Sequence, residues 1–113
     1  MRAADRTLFE DMKILRELAQ EAGKLAQSFM QGDNQADMAV NQLCADRLTQ
    51  FRPEYGWLSE ETLDNPDARR RDRCWVVDPI DGTRAYIRGD PYWCIGLAIV
   101  EEGEAVGGVL YAP

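Results

Sequence analysis

The sequence predicts a layered α/β or α+β domain in which two N-terminal helices pack on a largely antiparallel sheet. Apolar residues recur at three- and four-residue steps in the first half of the chain, as on the buried face of a helix. Short apolar runs separated by turn residues fill the second half, as in strands. With 113 residues and 45% hydrophobic content, the chain is long and apolar enough for one core.

The first helix is predicted from Thr7 to Met30. Thr7 and Glu10 have the spacing of a capping box, and Gly32 is expected to follow the end of the helix. The apolar stripe consists of Leu8, Met12, Leu15, Leu18, Ala22, Leu25 and Phe29.

A second helix is predicted from Met38 to Phe51. Asn34 is the expected N-cap, and Pro53 the expected stop. Asp37 lies near the start of this helix, where a carboxylate favours the helix dipole without any role as a ligand.

Strands are predicted after Pro53. Residues 55–58 and 74–77 are short apolar runs, residues 82–88 form a short helix, and residues 93–100 and 105–112 form a hairpin. The aromatic residues Trp57, Trp75, Trp93 and Tyr86 are interpreted as core or rim packing. No repeat or low-complexity segment interrupts this order.

Charge and composition exclude several functions. A net charge of −7 disfavours binding to nucleic acid, and the basic run at 69–73 is interpreted as a solvated loop. Without histidine, the chain has neither a Ser-His-Asp nor a Cys-His site. Cys44, Cys74 and Cys94 are expected to be buried, reduced thiols. No apolar run is long enough for a membrane span or a secretory signal, so a cytoplasmic protein is expected.

Acidic residues follow two of the predicted strands. Asp78 and Asp81 come after residues 74–77, and Glu60 and Glu61 come after residues 55–58. If these strands are neighbours, three or four carboxylates converge at one end of the sheet. Oxygen ligands without histidine or thiolate favour Mg²⁺ or Mn²⁺ over zinc. The competing interpretation is that Asp-Pro-Ile-Asp-Gly-Thr is an exposed turn and that the glutamates are solvated loop charges.

The residues between and after the two aspartates fit the same site. Pro79 restricts the backbone and is expected to turn the Ile80 carbonyl toward a cation. Gly82 permits a tight turn into a helix, where the N–H groups of Gly82 and Thr83 would favour a phosphate. Thr83 is otherwise interpreted as a helix cap.

With these motifs, the sequence resembles the inositol monophosphatase family. That family belongs to the wider group of Mg²⁺-dependent, lithium-sensitive phosphatases, which includes 3′(2′),5′-bisphosphate nucleotidases and fructose-1,6-bisphosphatases. The resemblance rests on WLSEET, on WVVDPIDGT and on the segment AYIRGDPYWCIGLAIVEEGEAVGGVLYAP, and it runs from the first helix to the last residue.

The resemblance implies roles for individual residues. Glu60, Asp78, the Ile80 carbonyl and Asp81 correspond to metal ligands for two or three Mg²⁺ ions, with Mn²⁺ as a substitute. Gly82 and Thr83 correspond to the phosphate-binding turn. Thr83 and Glu60 also correspond to the pair that orients the attacking water, and Asp81 is counted with them as catalytic.

The implied activity is Mg²⁺-dependent hydrolysis of a small phosphate monoester, either an inositol monophosphate or a bisphosphate nucleotide. A small phosphorylated substrate is the expected partner, without nucleic acid or membrane, and a homodimer remains open. Residues 31–37 look shortened and lack the family's usual Lys and Val-Thr pattern. Because family members are more than twice as long, residues 1–113 are interpreted as a single partial domain, the N-terminal half of the phosphatase. The alternative is a truncated, non-enzymatic remnant with a weak metal site that needs a partner or the missing half.

Overall fold

The computed structural model describes residues 3–29, 35–59 and 73–113. Within these ranges, helices pack against a sheet whose strand order is β1-β2-β3-β4. β1 runs parallel to β2, and the other two pairs are antiparallel, so the predicted architecture is confirmed. The elements are α1 (Ala3–Ser28), α2 (Gln35–Phe51), β1 (Gly56–Ser59), β2 (Arg73–Asp81), α3 (Thr83–Arg88), β3 (Cys94–Glu101) and β4 (Glu104–Tyr111).

Helix α1 begins at Ala3, four residues before the predicted start. Thr7 lies inside the helix, where its hydroxyl donates to the carbonyl of Ala3 at 3.0 Å, so the predicted capping box is wrong. The preceding alanines and Arg6 have high helix propensity and extend the helix toward the N-terminus. The expected stop at Gly32 lies outside the described residues.

Helix α2 ends at Phe51, two residues before Pro53, as predicted. Asp37 lies in its first turn, and the expected N-cap Asn34 is outside the described residues. The helix packs on the sheet through the side chains of Ala36, Val40, Cys44 and Leu48, each fully buried.

The core lies between the helices and one face of the sheet. Alternate residues of β2 and β3 supply its central side chains, because successive side chains of a strand point to opposite faces. These residues are Trp75, Val77, Ile95, Leu97 and Ile99, and all are at least 98% buried.

The aromatic residues pack as predicted. Trp75 and Tyr86 are buried, whereas Trp57 and Trp93 are partly buried against the same core. The Tyr86 hydroxyl donates to the carbonyl of Ala26 at 2.8 Å, which ties α3 to α1.

The predicted hairpin is β3 and β4. Glu102 and Gly103 join the strands with φ angles of 51° and 83°, both in the left-handed region. Two such residues make the tight turn whose twist matches that of antiparallel strands. Among the helices of the described ranges, none is long and apolar enough to cross a membrane.

The opposite face of the sheet opens into a groove of about 600 Å³. Val76, Ala98, Gly108 and Leu110 line it, and the Leu110 side chain is 77% exposed. Within the described residues, no other element fills this groove.

Candidate active site

The site begins where β2 ends. This strand was predicted to stop at residue 77, but it continues to Asp81 through an irregularity in its pairing with β3. Asp78 pairs with Gly96 and Asp81 pairs with Cys94, so three steps along β2 match two steps along β3. This is the geometry of a β-bulge. Pro79 lies within this bulge. A proline has no N–H group to donate to the ladder and is therefore tolerated in a sheet at bulges.

The bulge places both carboxylates on one face of the sheet. Gly96 and Cys94 are two residues apart on β3 and therefore share a face. Their partners Asp78 and Asp81 share that face as well. The structure thus places on one face the two aspartates that the sequence singled out.

Cys94 reports the proximity of these carboxylates. Its Sγ lies 3.9 Å from Oδ2 of Asp81. Burial raises the pKa of the Cys94 thiol, and the negative charges of Asp81 and Asp78 raise it further. The prediction of a buried thiol is confirmed for Cys44 and Cys74 but is wrong for Cys94, which is half-buried. All three thiols are free. The position of Cys94 opposite Asp81 depends on the register of β2 with β3, which a single strand's sequence does not contain.

Gly82 turns the chain from β2 into α3. Its φ of 87° and ψ of 41° lie in the left-handed region, which favours glycine. A Cβ at this position would lie 2.8 Å from the Tyr92 carbonyl oxygen and 3.3 Å from the Trp93 Cα. Any side chain would therefore collide with backbone, and only glycine fits this turn. The short helix predicted at residues 82–88 is confirmed as α3.

Thr83 joins the turn to the bulge. Its hydroxyl donates to the Ile80 carbonyl oxygen at 3.0 Å, which brings two of the predicted site atoms into contact. A carbonyl oxygen has two lone pairs, so the Ile80 carbonyl retains one for a cation. With its proton in this bond, the Thr83 hydroxyl keeps lone pairs that can accept a hydrogen bond from a water.

The available donor atoms are of the type that binds a hard cation. Asp78, Asp81 and the Ile80 carbonyl supply oxygen, and Mg²⁺ is usually held by one or two carboxylates together with several waters. Across residues 3–29, 35–59 and 73–113, no cluster of three His, Cys, Asp or Glu side chains forms a metal site. Glu60 and Glu61 lie outside these residues, so the predicted role of Glu60 stays a prediction.

The end of β1 is nevertheless where the prediction requires it. β1 pairs in parallel with β2, and Ser59 stands opposite Val77. In the sequence, Glu60 follows Ser59 and Asp78 follows Val77. The expected meeting of two strand ends is therefore supported as far as Ser59.

Helices on one face of a mixed sheet, with paired carboxylates and a Gly-Thr turn at a strand end, define a layered domain with an oxygen-donor site. Residues 2–113 match the sequence model of the inositol monophosphatase family. The chain belongs to that family.

Curated relatives support this membership. An inositol-1-monophosphatase from Caulobacter vibrioides is 36% identical over 115 aligned positions, which cover 99% of this chain and 42% of that protein. One from Rhizobium meliloti is 37% identical over 82 residues, covering 71% of this chain and 30% of the relative. The 3′(2′),5′-bisphosphate nucleotidase CysQ from Escherichia coli is 34% identical over 79 residues, covering 69% of this chain and 32% of the relative. The chain thus spans about a third of these relatives' length.

Solved structures share the fold. An inositol monophosphatase from Anabaena superposes with a TM-score of 0.84 at 28% identity, covering 95% of this chain and 41% of the other. The extragenic suppressor protein suhB from Bartonella henselae gives 0.79 at 27% identity, covering 90% and 44% respectively.

Proposed function

We propose that this chain contributes the N-terminal part of a site for Mg²⁺-dependent hydrolysis of a small phosphate monoester. The bulge in β2 carries the proposal. It places Asp78 and Asp81 on one face, beside the contact between Thr83 and the Ile80 carbonyl. Membership in a family with named phosphatases supports the reaction class.

Each residue of the site has a separate role in the proposed reaction. Asp78, Asp81 and the Ile80 carbonyl, together with Glu60, would hold Mg²⁺ or Mn²⁺. Such a cation lowers the pKa of bound water and neutralises charge on the phosphoryl group. Thr83 accepts a hydrogen bond from the attacking water and orients it with Glu60. The turn at Gly82 and Thr83 receives the phosphate.

Two substrate classes follow from the names of the relatives. The inositol-1-monophosphatases favour an inositol monophosphate, and CysQ favours a bisphosphate nucleotide. The segment from Asp81 to Tyr86 resembles the bacterial nucleotidases more, and the exposed Arg84 lies next to the phosphate turn. We place the protein in the cytoplasm, acting on a small phosphorylated molecule without nucleic acid or membrane.

One observation favours a second candidate, a non-enzymatic remnant that binds a divalent cation weakly. The chain covers only 30% to 42% of the relatives compared above, and the described residues supply an incomplete set of ligands. With fewer carboxylates, metal affinity falls. Such a chain would need the remaining part of the fold, or a partner, to become active.

The test is phosphate release by the 113-residue chain from inositol 1-phosphate and from 3′-phosphoadenosine 5′-phosphate, with and without Mg²⁺ and lithium. Release that requires Mg²⁺ and falls with lithium would show that this part alone forms a working site, and the preferred substrate would identify the class. Asp81→Asn should abolish release without changing the circular dichroism spectrum. Asp46→Asn, an exposed carboxamide substitution on α2, should leave release unchanged. Near-normal turnover in Asp81→Asn would contradict the metal assignment, and no release from a folded wild-type chain would favour the remnant.

A further inference from the structure

We propose that the exposed ring of Tyr92 stacks on the base of a nucleotide substrate, so that the site selects a bisphosphate nucleotide over an inositol monophosphate. The role rests on the proposed function, because it concerns a substrate whose phosphate is held at the same turn. It assigns a substrate contact to a residue that belongs neither to the metal ligands nor to the phosphate turn.

Tyr92 lies beside the phosphate turn. It is in the segment between α3 and β3, two positions before Cys94, which is the first residue of β3 and pairs with Asp81. A Cβ on Gly82 would lie 2.8 Å from the Tyr92 carbonyl oxygen. The backbone of Tyr92 is therefore in contact with the turn that is proposed to receive the phosphate.

The ring of Tyr92 is on the face of the sheet that carries the aspartates. Trp93, the next residue, packs against the core, where its ring centroid lies 5.0 Å from that of the buried Tyr86. Successive side chains of an extended chain point to opposite faces, so Tyr92 and Cys94 face away from the core. Cys94 stands opposite Asp81 on that face. Tyr92 is 83% exposed, which agrees with this placement.

The exposed ring has space beside it for a flat ligand. Residues at two-residue steps after Tyr92 lie on the same face of β3. The first two are Cys94 and Gly96, which have a small side chain and none. A base that lies against the Tyr92 ring therefore meets no bulky side chain from the adjoining positions of β3.

The two substrate classes differ in what they offer to this ring. Both carry a phosphate monoester for the turn at Gly82 and Thr83, but only the nucleotide has a planar aromatic base. Aromatic side chains stack on nucleic-acid bases through their π faces, whichever base is present. An inositol ring has no π face. Because one sugar joins a nucleotide's base to its phosphate, a phosphate in the turn brings the base close to Tyr92.

The experiment measures the dissociation constants of 3′-phosphoadenosine 5′-phosphate and inositol 1-phosphate by titration calorimetry with the 113-residue chain. Ca²⁺ replaces Mg²⁺ as the hard cation, and a phosphate assay verifies that both ligands stay intact. Tyr92→Leu removes the ring and should weaken nucleotide binding about 10-fold or more, because stacking stabilises the bound base. Its affinity for inositol 1-phosphate should change less than about 2-fold, since that ligand has no base to stack.

Two variants and a spectroscopic signature separate stacking from a structural role. Tyr92→Phe keeps the ring and should retain wild-type affinity for both ligands. Phe9→Leu removes a ring that is 58% exposed on α1, and it should change neither affinity. In proton NMR spectra at saturating nucleotide, the adenine ring protons should shift upfield with wild type and Tyr92→Phe but not with Tyr92→Leu.

The outcomes distinguish this role from the proposed function. If the folded wild type binds neither ligand, both the proposed phosphate site and the role of Tyr92 are overturned. If wild type binds the nucleotide and Tyr92→Leu binds it equally well, only the stacking role is overturned. Equal losses for both ligands in Tyr92→Leu, or a wild type that prefers inositol 1-phosphate, would also overturn the selective role while leaving the phosphate site in place.

Discussion

Asp78 and Asp81 are three residues apart, and in a regular strand that separation would point them to opposite faces of the sheet. The bulge corrects this by adding one residue to β2 between the pairs with Gly96 and Cys94. Pro79 marks the place in the sequence, because proline is tolerated in a sheet mainly at edges and bulges. The sequence motif identifies the pair of aspartates, but the apolar run that predicts the strand ends before them.

Substitution of Thr83 should affect kcat but not the affinity for the metal. Thr83→Ala removes the hydroxyl that would accept a hydrogen bond from water, while Asp78, Asp81 and the Ile80 carbonyl remain. In the catalytically competent protein, we expect kcat to fall about 100-fold and Mn²⁺ affinity to change little. Thr83→Ser retains the hydroxyl and serves as the control. Equal losses in kcat and Mn²⁺ affinity would show that Thr83 only caps the helix.

The raised pKa of the Cys44 thiol predicts that the folded protein loses stability at alkaline pH. Burial, with a smaller effect of Glu21, raises the pKa of Cys44 from 9.0 to about 12 in the folded protein. Between these values the unfolded chain loses a proton that the folded chain keeps, so the free energy of unfolding decreases as pH rises. The contribution is fully present below pH 9 and is lost by about pH 12.

Urea denaturation of wild type and Cys44→Ala between pH 8 and pH 11 measures this contribution to the free energy of unfolding. Groups common to both proteins cancel in the difference. Above about pH 9, wild type should lose up to about 1.4 kcal/mol per pH unit more than Cys44→Ala. Parallel pH profiles for the two proteins would contradict the raised pKa.

At the scale of elements, α1 carries a feature that sequence analysis missed. Asp11 is fully buried, and its carboxylate accepts hydrogen bonds from Arg52 Nε at 3.0 Å, the Tyr55 hydroxyl at 2.6 Å and Arg73 Nη1 at 3.3 Å. Arg73 also contacts Glu101 of β3 at 3.3 Å. The network thus links α1 to the end of α2 and to two strands.

The network shows why some features were predictable and others were not. The helices and the hairpin follow from local periodicity and turn residues, which one segment contains by itself. Asp11 falls on the apolar stripe, three residues after Leu8, which was a signal of a buried charge. Its partners are 41 to 62 residues away in the chain, so no local pattern could identify them. The β2 bulge likewise depends on register with β3.

Asp11→Ala should strongly destabilise the fold. It leaves the partly buried Arg52 and Arg73 without their shared carboxylate, and breaking a buried pair typically costs about 3–5 kcal/mol. Glu10→Ala is the matched control, because Glu10 is exposed and also contacts Arg52, at 2.9 Å. Its cost should stay below about 1 kcal/mol. Urea denaturation measures both, and similar costs would show that burial does not strengthen the Asp11 contacts.

At the scale of the whole molecule, the sheet has unequal faces. Helices cover one face, while Val76, Ala98, Gly108 and Leu110 line the open groove on the other. Asp78 is the one charged residue among the described residues that line the groove, whereas the chain as a whole carries a net charge of −7. Exposed apolar patches promote association, and the net charge of the rest of the surface opposes it. If a homodimer forms, we therefore expect it to use this groove.

Sedimentation velocity over a concentration series tests the expectation. The wild-type chain should associate as its concentration rises, and Leu110→Lys should shift it toward monomer because burying a lysine in an interface costs more than burying a leucine. Phe9→Lys is the matched control, since Phe9 is an apolar residue 58% exposed on α1. Each substitution changes the net charge by the same amount, from −7 to −6. An equal shift in both variants would attribute association to net charge, and a monomeric wild type at all concentrations would contradict a dimer through this face.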